Sequence, residues 1–213
     1  MSSLVVLRTP LRRRLKRALP LLVPVVRAHR RVRQQVAFWR EYTPDREVLE
    51  RAIFPALLER EDLRRVLFVG TAFYTSHYPH IFASRELWTL DIDPEMARYG
   101  APGRHIVDSV TNVAAHFPPQ SLDAVLAIGV FGFGVDSRES MEATVTQLVG
   151  VLRPGGVFVA SWNDAEEHRC HPLDRLESVR RLRPITLGTF PAPTYPTFSD
   201  LKVWFAFYER PVQ

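Results

Sequence analysis

Residues 66–78 read Val-Leu-Phe-Val-Gly-Thr-Ala-Phe-Tyr-Thr-Ser-His-Tyr. Four apolar residues in succession, Val66 to Val69, predict a buried strand. Gly70 follows at once, where a nucleotide-binding turn would open. The further glycines of such a turn are missing, and Thr71, Ala72, Phe73 and Tyr74 fill their places. A dinucleotide turn needs G-x-G-x-x-G so that a pyrophosphate can approach the backbone at a helix N-terminus. One glycine, with Phe73 and Tyr74 beside it, does not offer that approach. An adenosine ligand without phosphates makes no such demand.

Downstream, apolar runs at 66–69, 87–92, 105–107, 124–128 and 157–161 alternate with segments of helical character at 76–84, 94–99, 110–116 and 138–152. Such alternation predicts βαβ units with right-handed crossovers and a parallel sheet covered on both faces. After Trp162 the order changes. A loop and a helix to Arg181 lead to a run at 185–190, then the turn-rich PAPTYPTFSD and a run at 203–208. Two runs joined without a crossover helix predict antiparallel pairing. The expected fold class is therefore α/β: Rossmann-like, doubly wound, with a mostly parallel seven-stranded sheet and an antiparallel C-terminal hairpin. Upstream, Thr43 and Pro44 predict a helix start. Val48, Leu49, Ala52, Ile53, Ala56 and Leu57 recur at helical spacing, with Pro55 kinking or splitting the segment. Three parts are expected: a basic N-terminal extension (1–40), a helical cap segment (41–62) and the main domain (63–213).

Ligands of open parallel sheets bind at the carboxyl ends of the strands. The second run ends in Asp91-Ile92-Asp93-Pro94, about 20 residues beyond Gly70, and an acidic residue there accepts hydrogen bonds from ribose hydroxyls. The third run leads to Asp108-Ser109-Val110 and the fourth to Gly129-Val130-Phe131-Gly132-Phe133-Gly134. Leu152-Arg153-Pro154-Gly155-Gly156 precedes the fifth.

These segments together, from about Arg64 to Arg210, resemble the class I S-adenosylmethionine-dependent methyltransferases. The strand-Gly segment resembles the family's first motif, and LDIDP its acidic strand end that holds the ribose. HIVDS resembles the segment whose Asp reaches the adenine amino group, SLDAVLAIGVFGFG the fourth motif, and LRPGGVFVASW the turn into the fifth strand. YTxxY after Gly70 and WND after the fifth strand resemble a bacterial sub-group of the family. Only Lys16 and Lys202 are lysines among 28 basic residues, a bias of high-GC genomes that agrees with a bacterial source.

The resemblance implies S-adenosylmethionine as cofactor, bound by Gly70, Thr71, Tyr74, Thr75, Asp91, Ile92, Asp93, Asp108, Ser109, Val110, Gly129, Val130 and Phe131. Two departures stand out. The family has an acidic residue two positions before the first glycine, reaching the amino group of the cofactor's methionine, and this chain has Phe68. The later loop glycines are replaced by Ala72 and Tyr74. The loop is expected to cradle the methionine tail through backbone N–H groups and the Tyr74 or Thr75 hydroxyl. The other reading is a closed loop and an inactive site.

Methyl transfer to oxygen or nitrogen needs alignment, exclusion of water and, for a hydroxyl, removal of a proton. His77, Asp136 and Asp164 are the candidate catalytic groups. His77 reads equally as a helix start, and each aspartate equally as a cap. The acceptor would enter above 131–136 and 162–171, under cover of 41–60, with Phe131, Phe133 and Trp162 as aromatic walls. His168, Cys170 and His171 give no complete ligand set, so no metal is expected. The functional expectation is a small-molecule O- or N-methyltransferase of a biosynthetic pathway. The alternatives are a methyltransferase-like domain with a non-methylating role in such a pathway, or a non-catalytic scaffold subunit.

The net charge of +5 is unevenly placed. Residues 1–40 hold 11 basic and no acidic residues, leaving 17 basic against all 23 acidic residues for the rest. The high pI is thus no argument for nucleic-acid binding by the domain. The apolar run within RRRLKRALPLLVPVVRAHRRVR is too short to span a bilayer. It suits peripheral contact with an anionic membrane, a solvated arm, or a helix packed on the domain or a second subunit. A single cysteine, Cys170, excludes an internal disulfide and agrees with a reducing, cytoplasmic setting. The oligomeric state is left open.

Overall fold

The computed structural model of the protein describes residues 43–166 and 169–212. The basic extension, its expected membrane contact and His168 lie outside the described residues.

Strand β1 (Arg65–Val69) lies inside the sheet. The next strand in sequence, β2 (Glu86–Asp91), pairs with it in parallel, Val69 opposite Leu90, and β3 (His105–Val107) pairs with β2. On the other side come β4 (Leu122–Phe131) and β5 (Leu152–Asn163), both parallel. The C-terminal strand β8 (Val203–Glu209) pairs antiparallel with β5. Two short strands, β6 (Arg183–Pro184) and β7 (Thr194–Pro196), lie antiparallel along the far edge of β8. The order is 3-2-1-4-5-8-6, with the switch between β1 and β4 that makes a ligand crevice.

The hairpin differs from the sequence expectation. The run at 185–190 is not a strand, because Pro184 lacks an N–H and Gly188 turns at φ +54. A Cβ at Gly188 would also stand 2.7 Å from Ala56 Cβ. Leu187 and Phe190 are instead buried against the sheet face. Two short pieces replace one strand, so among the described residues the sheet has eight strands where seven were expected.

Side-chain alternation separates two cores. Leu67, Val69, Val125, Ala127, Phe158 and Ala160 face one side, against the helix at Arg138–Val151. Val66, Phe68, Ala124, Leu126, Val157 and Val159 face the other, against the segment that begins at Pro44. Each of the Val, Leu and Phe side chains among them contributes about 1.5–3 kcal/mol on burial.

The helices carry the larger corrections. The covering segment starts as α1 (Pro44–Val48), widens to a π-helical turn over Leu49–Ile53, and continues as α2 (Phe54–Leu58). Pro55 cannot donate to the preceding turn, and the π turn absorbs that mismatch. Thr43 occupies the N-cap position, and its carbonyl accepts the Arg46 N–H at 3.0 Å, but its hydroxyl makes no capping bond. The helix expected over 76–84 is one turn, α3 (Tyr78–Ile81), with Pro79 in its first turn. Pro94–Tyr99 and Val110–Ala115 are 3₁₀ turns, opened by the Asp93 and Ser109 side chains, which accept from Glu95 N–H and Thr111 N–H. Among the described residues only α4 (Arg138–Val151) is a full-length helix, capped by Ser137 and burying Met141, Val145, Leu148 and Val151. The short α5 (Glu177–Arg180) starts on the Glu142 carboxylate, which accepts the N–H groups of Glu177 and Ser178 at 2.7 and 2.9 Å.

At the amino edge of the sheet, Arg153 of LRPGG is a structural residue. It donates to Asp123 at 2.5 Å and to Asp62 at 2.8 Å. Asp123 in turn accepts the N–H groups of Arg64 and Arg65, tying the entry of β1 to β4.

Candidate cofactor site

The carboxyl ends of β1, β2 and β4 enclose a cleft of about 190 Å³. Val69 and Gly70 line it from the first strand, Leu90, Asp91 and Ile92 from the second, and Ser109 and Val110 from the turn after the third. Gly129, Val130, Phe133, Gly134 and Val135 complete it from the fourth.

Gly70 is required here on two counts. Its φ is +90, and a Cβ would meet the Ile128 carbonyl oxygen at 2.7 Å. The turn after it is held by β2. Asp91 Oδ2 accepts the Thr71 N–H at 2.6 Å and lies 3.3 Å from the Thr71 hydroxyl, while Oδ1 accepts the Asp93 N–H at 2.9 Å. The carboxylate has lone pairs left for the cleft that it lines. Thr75 closes the turn from within: its hydroxyl accepts the Ala72 N–H at 3.0 Å and donates to the Ala72 carbonyl at 2.9 Å.

Across the cleft, Gly129 (φ +67) and Gly134 (φ +99) leave open space where a side chain would stand. Ile92 and Phe133 are 72% and 47% exposed, so flat apolar surface is presented to solvent beside polar Asp91 and Ser109. An adenosine needs that combination, an apolar bed for the base and an acceptor for the ribose. The enclosed volume is under the roughly 300 Å³ at which ligand pockets begin, so a whole cofactor extends beyond it.

Seven expected cofactor residues line the cleft together: Gly70, Asp91, Ile92, Ser109, Val110, Gly129 and Val130. The others do not line it. Thr71 and Thr75 serve the turn, and Asp93 caps the 3₁₀ turn that follows it. Phe131 is fully buried in the core. Tyr74 packs edge-on against Phe73, with the Arg46 guanidinium 3.3 Å from its ring centroid. Asp108 turns to its own segment, accepting from His116 at 2.7 Å, Asn112 at 2.9 Å and the Ser109 N–H at 2.7 Å. The His116 bond, then Asn112 and Ser109, hold its pKa below the usual carboxylate value.

The candidate catalytic groups lie apart. Asp136 is exposed, accepts the Gly134 N–H at 3.2 Å and follows the cleft residue Val135. Asp164 pairs with Arg169 at 3.3 Å. His77 stands 3.3 Å from Glu50 on the covering segment. Trp162 stacks on Trp204 across β5 and β8, 6.0 Å between centroids. Burial pushes the Cys170 thiol up to about 11, so it is no ready nucleophile. Among the described residues no group of three or more His, Cys, Asp or Glu is arranged to hold a metal ion. No helix among them is long and apolar enough to cross a membrane.

Sequence reasoning did not assign Val69 or Leu90 to the site, and it placed Gly134 and Val135 only within the acceptor entry at 131–136, not among the cofactor residues. The signal was available for the first two, since each immediately precedes a residue that was assigned. Gly134 and Val135 depend on the course of the β4 loop, which strand periodicity does not give.

The family model described as a methyltransferase domain matches residues 68–160. No curated protein sequence matches the chain significantly. Among solved structures, the N-methyltransferase NodS from Bradyrhizobium japonicum WM9, in complex with S-adenosyl-L-homocysteine, is 16% identical, with 82% of this chain and 92% of that chain covered and a TM-score of 0.61. The 1,6-didemethyltoxoflavin-N1-methyltransferase of Burkholderia thailandensis, with 1,6-didemethyltoxoflavin and S-adenosylhomocysteine bound, is 15% identical, with 99% and 94% covered and a TM-score of 0.56. The one-glycine turn held by Asp91, the 3-2-1-4-5 parallel order with its antiparallel final strand, and the match agree: residues 68–160 match a methyltransferase domain, and the fold is the Rossmann-like fold of the methyltransferase structures.

Proposed function

We propose that the protein transfers a methyl group from S-adenosylmethionine to a small-molecule acceptor. The observation that carries this reading is the cleft at the β1/β4 switch, with the Asp91 carboxylate at its rim and exposed Ile92 and Phe133 beside it. Bound there, the cofactor supplies an activated methyl on a sulfonium. The chain has to hold the adenosine, align the acceptor and exclude water. Asp91 would take the ribose hydroxyls, and Ile92, Val110 and Phe133 the base.

Structural neighbours include two proteins named as N-methyltransferases and one named as an O-methyltransferase family protein, so nitrogen and oxygen acceptors both stand. An amine acceptor must be neutral to attack, and Asp136, next to the cleft residue Val135, is the candidate that supports loss of its proton. His77 and Asp164 stand as the other candidates. The test is calorimetric titration with S-adenosylmethionine and S-adenosylhomocysteine, followed by an acceptor panel of amines and hydroxylated compounds with product methylation read by mass spectrometry. Failure to bind either cofactor form rejects the reading.

A further inference from the structure

A methyl acceptor has to lie beside the cofactor, and β5 carries the sheet onward from the cleft. The Ser161 hydroxyl accepts the N–H of Gly129, a cleft residue, at 3.2 Å. Strand alternation puts Asn163 on the same face as Ser161, about 7 Å further along at a rise of about 3.3 Å per residue. This is the face of Val157, Val159, Val203 and Phe205, which the segment beginning at Pro44 covers.

Two buried polar atoms on this face have no hydrogen-bond partner. Asn163 is 3% exposed, and its Nδ2 donates to no acceptor. Asp45, in α1, is 7% exposed, and its Oδ2 accepts from no donor. A chain of contacts brings the two residues to one place. The Thr197 hydroxyl donates to Asp45 Oδ1, and the Thr197 N–H donates to the Val203 carbonyl at 2.8 Å. Val203 in turn stands opposite Asn163 across β5 and β8, with both side chains on the face under α1. The residues beside Asn163 are engaged elsewhere: Trp162 stacks on Trp204, and Asp164 pairs with Arg169. A buried donor or carboxylate oxygen left unmatched is costly, and folded proteins keep few of them. Here one of each remains, next to the cofactor cleft.

We infer that Asp45 and Asn163 hold the methyl acceptor, and that the group they take is an amide edge, an N–H beside a C=O. Asp45 Oδ2 accepts the N–H, and Asn163 Nδ2 donates to the carbonyl. A carboxamide or a lactam ring presents both on one edge. An amine lacks the acceptor, and a carboxylate lacks the donor and meets the charge of Asp45. This rests on the methyl-transfer reading above, and it concerns which molecule is held, not how it reacts. At about 7 Å from Ser161, the amide edge is not the reacting atom, which is another nitrogen or oxygen of the same molecule nearer the cleft. Because Asp45 belongs to α1 and Asn163 to β5, the acceptor also ties the covering segment to the sheet.

The test compares 2-pyridone, a minimal lactam, with 1-methyl-2-pyridone, whose N–H is blocked, by ligand-observed NMR titration of the full chain saturated with S-adenosylhomocysteine. The wild type should bind 2-pyridone more tightly by about tenfold or more. Asp45→Ala and the near-isosteric Asn163→Leu should each remove most of that preference while S-adenosylhomocysteine binds as before, with the melting temperature checking the fold. A wild type that binds S-adenosylhomocysteine but neither pyridone, or both equally, overturns the site and leaves the cofactor reading standing, and this comparison needs no variant. A preference kept in both folded variants also overturns the site. So does a parallel loss of S-adenosylhomocysteine binding in the variants, which would make the two residues supports of the cleft. A wild type that does not bind S-adenosylhomocysteine rejects the cofactor reading and the acceptor site with it.

Discussion

The Asp91 carboxylate accepts the Thr71 N–H at 2.6 Å, so the end of β2 holds the turn that follows β1. One oxygen thereby shapes the loop while the group also lines the cleft. Asp91→Ala should weaken S-adenosylhomocysteine binding by about 1.5–3 kcal/mol, the range for hydrogen bonds to an ionised partner. Calorimetric titration, with the melting temperature as a check on folding, reads this. Unchanged affinity in a folded variant would reduce Asp91 to a brace for the turn.

NAD should not bind. A pyrophosphate needs free backbone N–H groups at a glycine-rich turn, and those of Thr71 and Ala72 are already bonded to Asp91 and Thr75. Titration with NAD at concentrations that saturate with S-adenosylhomocysteine should give no heat of binding. Saturable NAD binding would contradict the adenosine reading of the cleft.

Two glycines separate close approach from backbone freedom. Gly129→Ala adds a methyl to open space at φ +67 and should cost about 1–2 kcal/mol for the left-handed conformation alone. Gly70→Ala adds it 2.7 Å from the Ile128 carbonyl at φ +90, and should cost visibly more. Urea unfolding midpoints at constant m-value decide the order. Equal losses would mean that β1 and β4 yield at this point.

His105 should make stability fall on mild acidification. The Thr89 hydroxyl accepts the Ala101 N–H at 2.8 Å and is hydrogen-bonded to His105 Nδ1, 2.9 Å away. The His105 Nε2 is buried without a partner. Burial lowers the folded pKa below the ordinary 6.5, opposed by the charge of Asp91. A depressed histidine contributes stability above the unfolded value, and loses it as pH falls through the folded one. The melting temperature should therefore decline below about pH 6.5, and less steeply in His105→Gln. Parallel slopes in the two proteins would remove His105 as the cause.

The sheet was legible because it is buried on both faces, and Val66–Val69, Ala124–Ile128 and Val157–Ser161 are continuous apolar runs that only a central strand explains. The helices were not. Pro79 shortens α3 to one turn, and the side chains of Asp93 and Ser109 start 3₁₀ turns that apolar spacing does not distinguish from α-helix. In the site, residues at strand ends such as Asp91 and Gly129 could be placed, since the fold fixes where a strand stops. Asp108 and Tyr74 could not, because the partners that turn them away, His116 and Arg46, are remote in sequence or reached only by packing.

The basic extension gives the last prediction. Residues 1–40 carry 11 positive charges with no negative one, while the rest of the chain has six more acidic than basic residues. If an anionic membrane is the counter-charge, each basic residue near its surface is worth about 1 kcal/mol at low salt, declining over a Debye length of about 8–10 Å as salt rises. Leu21, Leu22, Val25 and Val26 add an apolar part that salt does not screen. The full chain should then sediment with vesicles containing anionic phospholipid and not with neutral ones, and salt should release part of it. Replacing those four apolar residues with serine should make the release by salt complete. Equal sedimentation with neutral vesicles, or none with anionic ones at low salt, would assign the charges to solvent or to a protein partner.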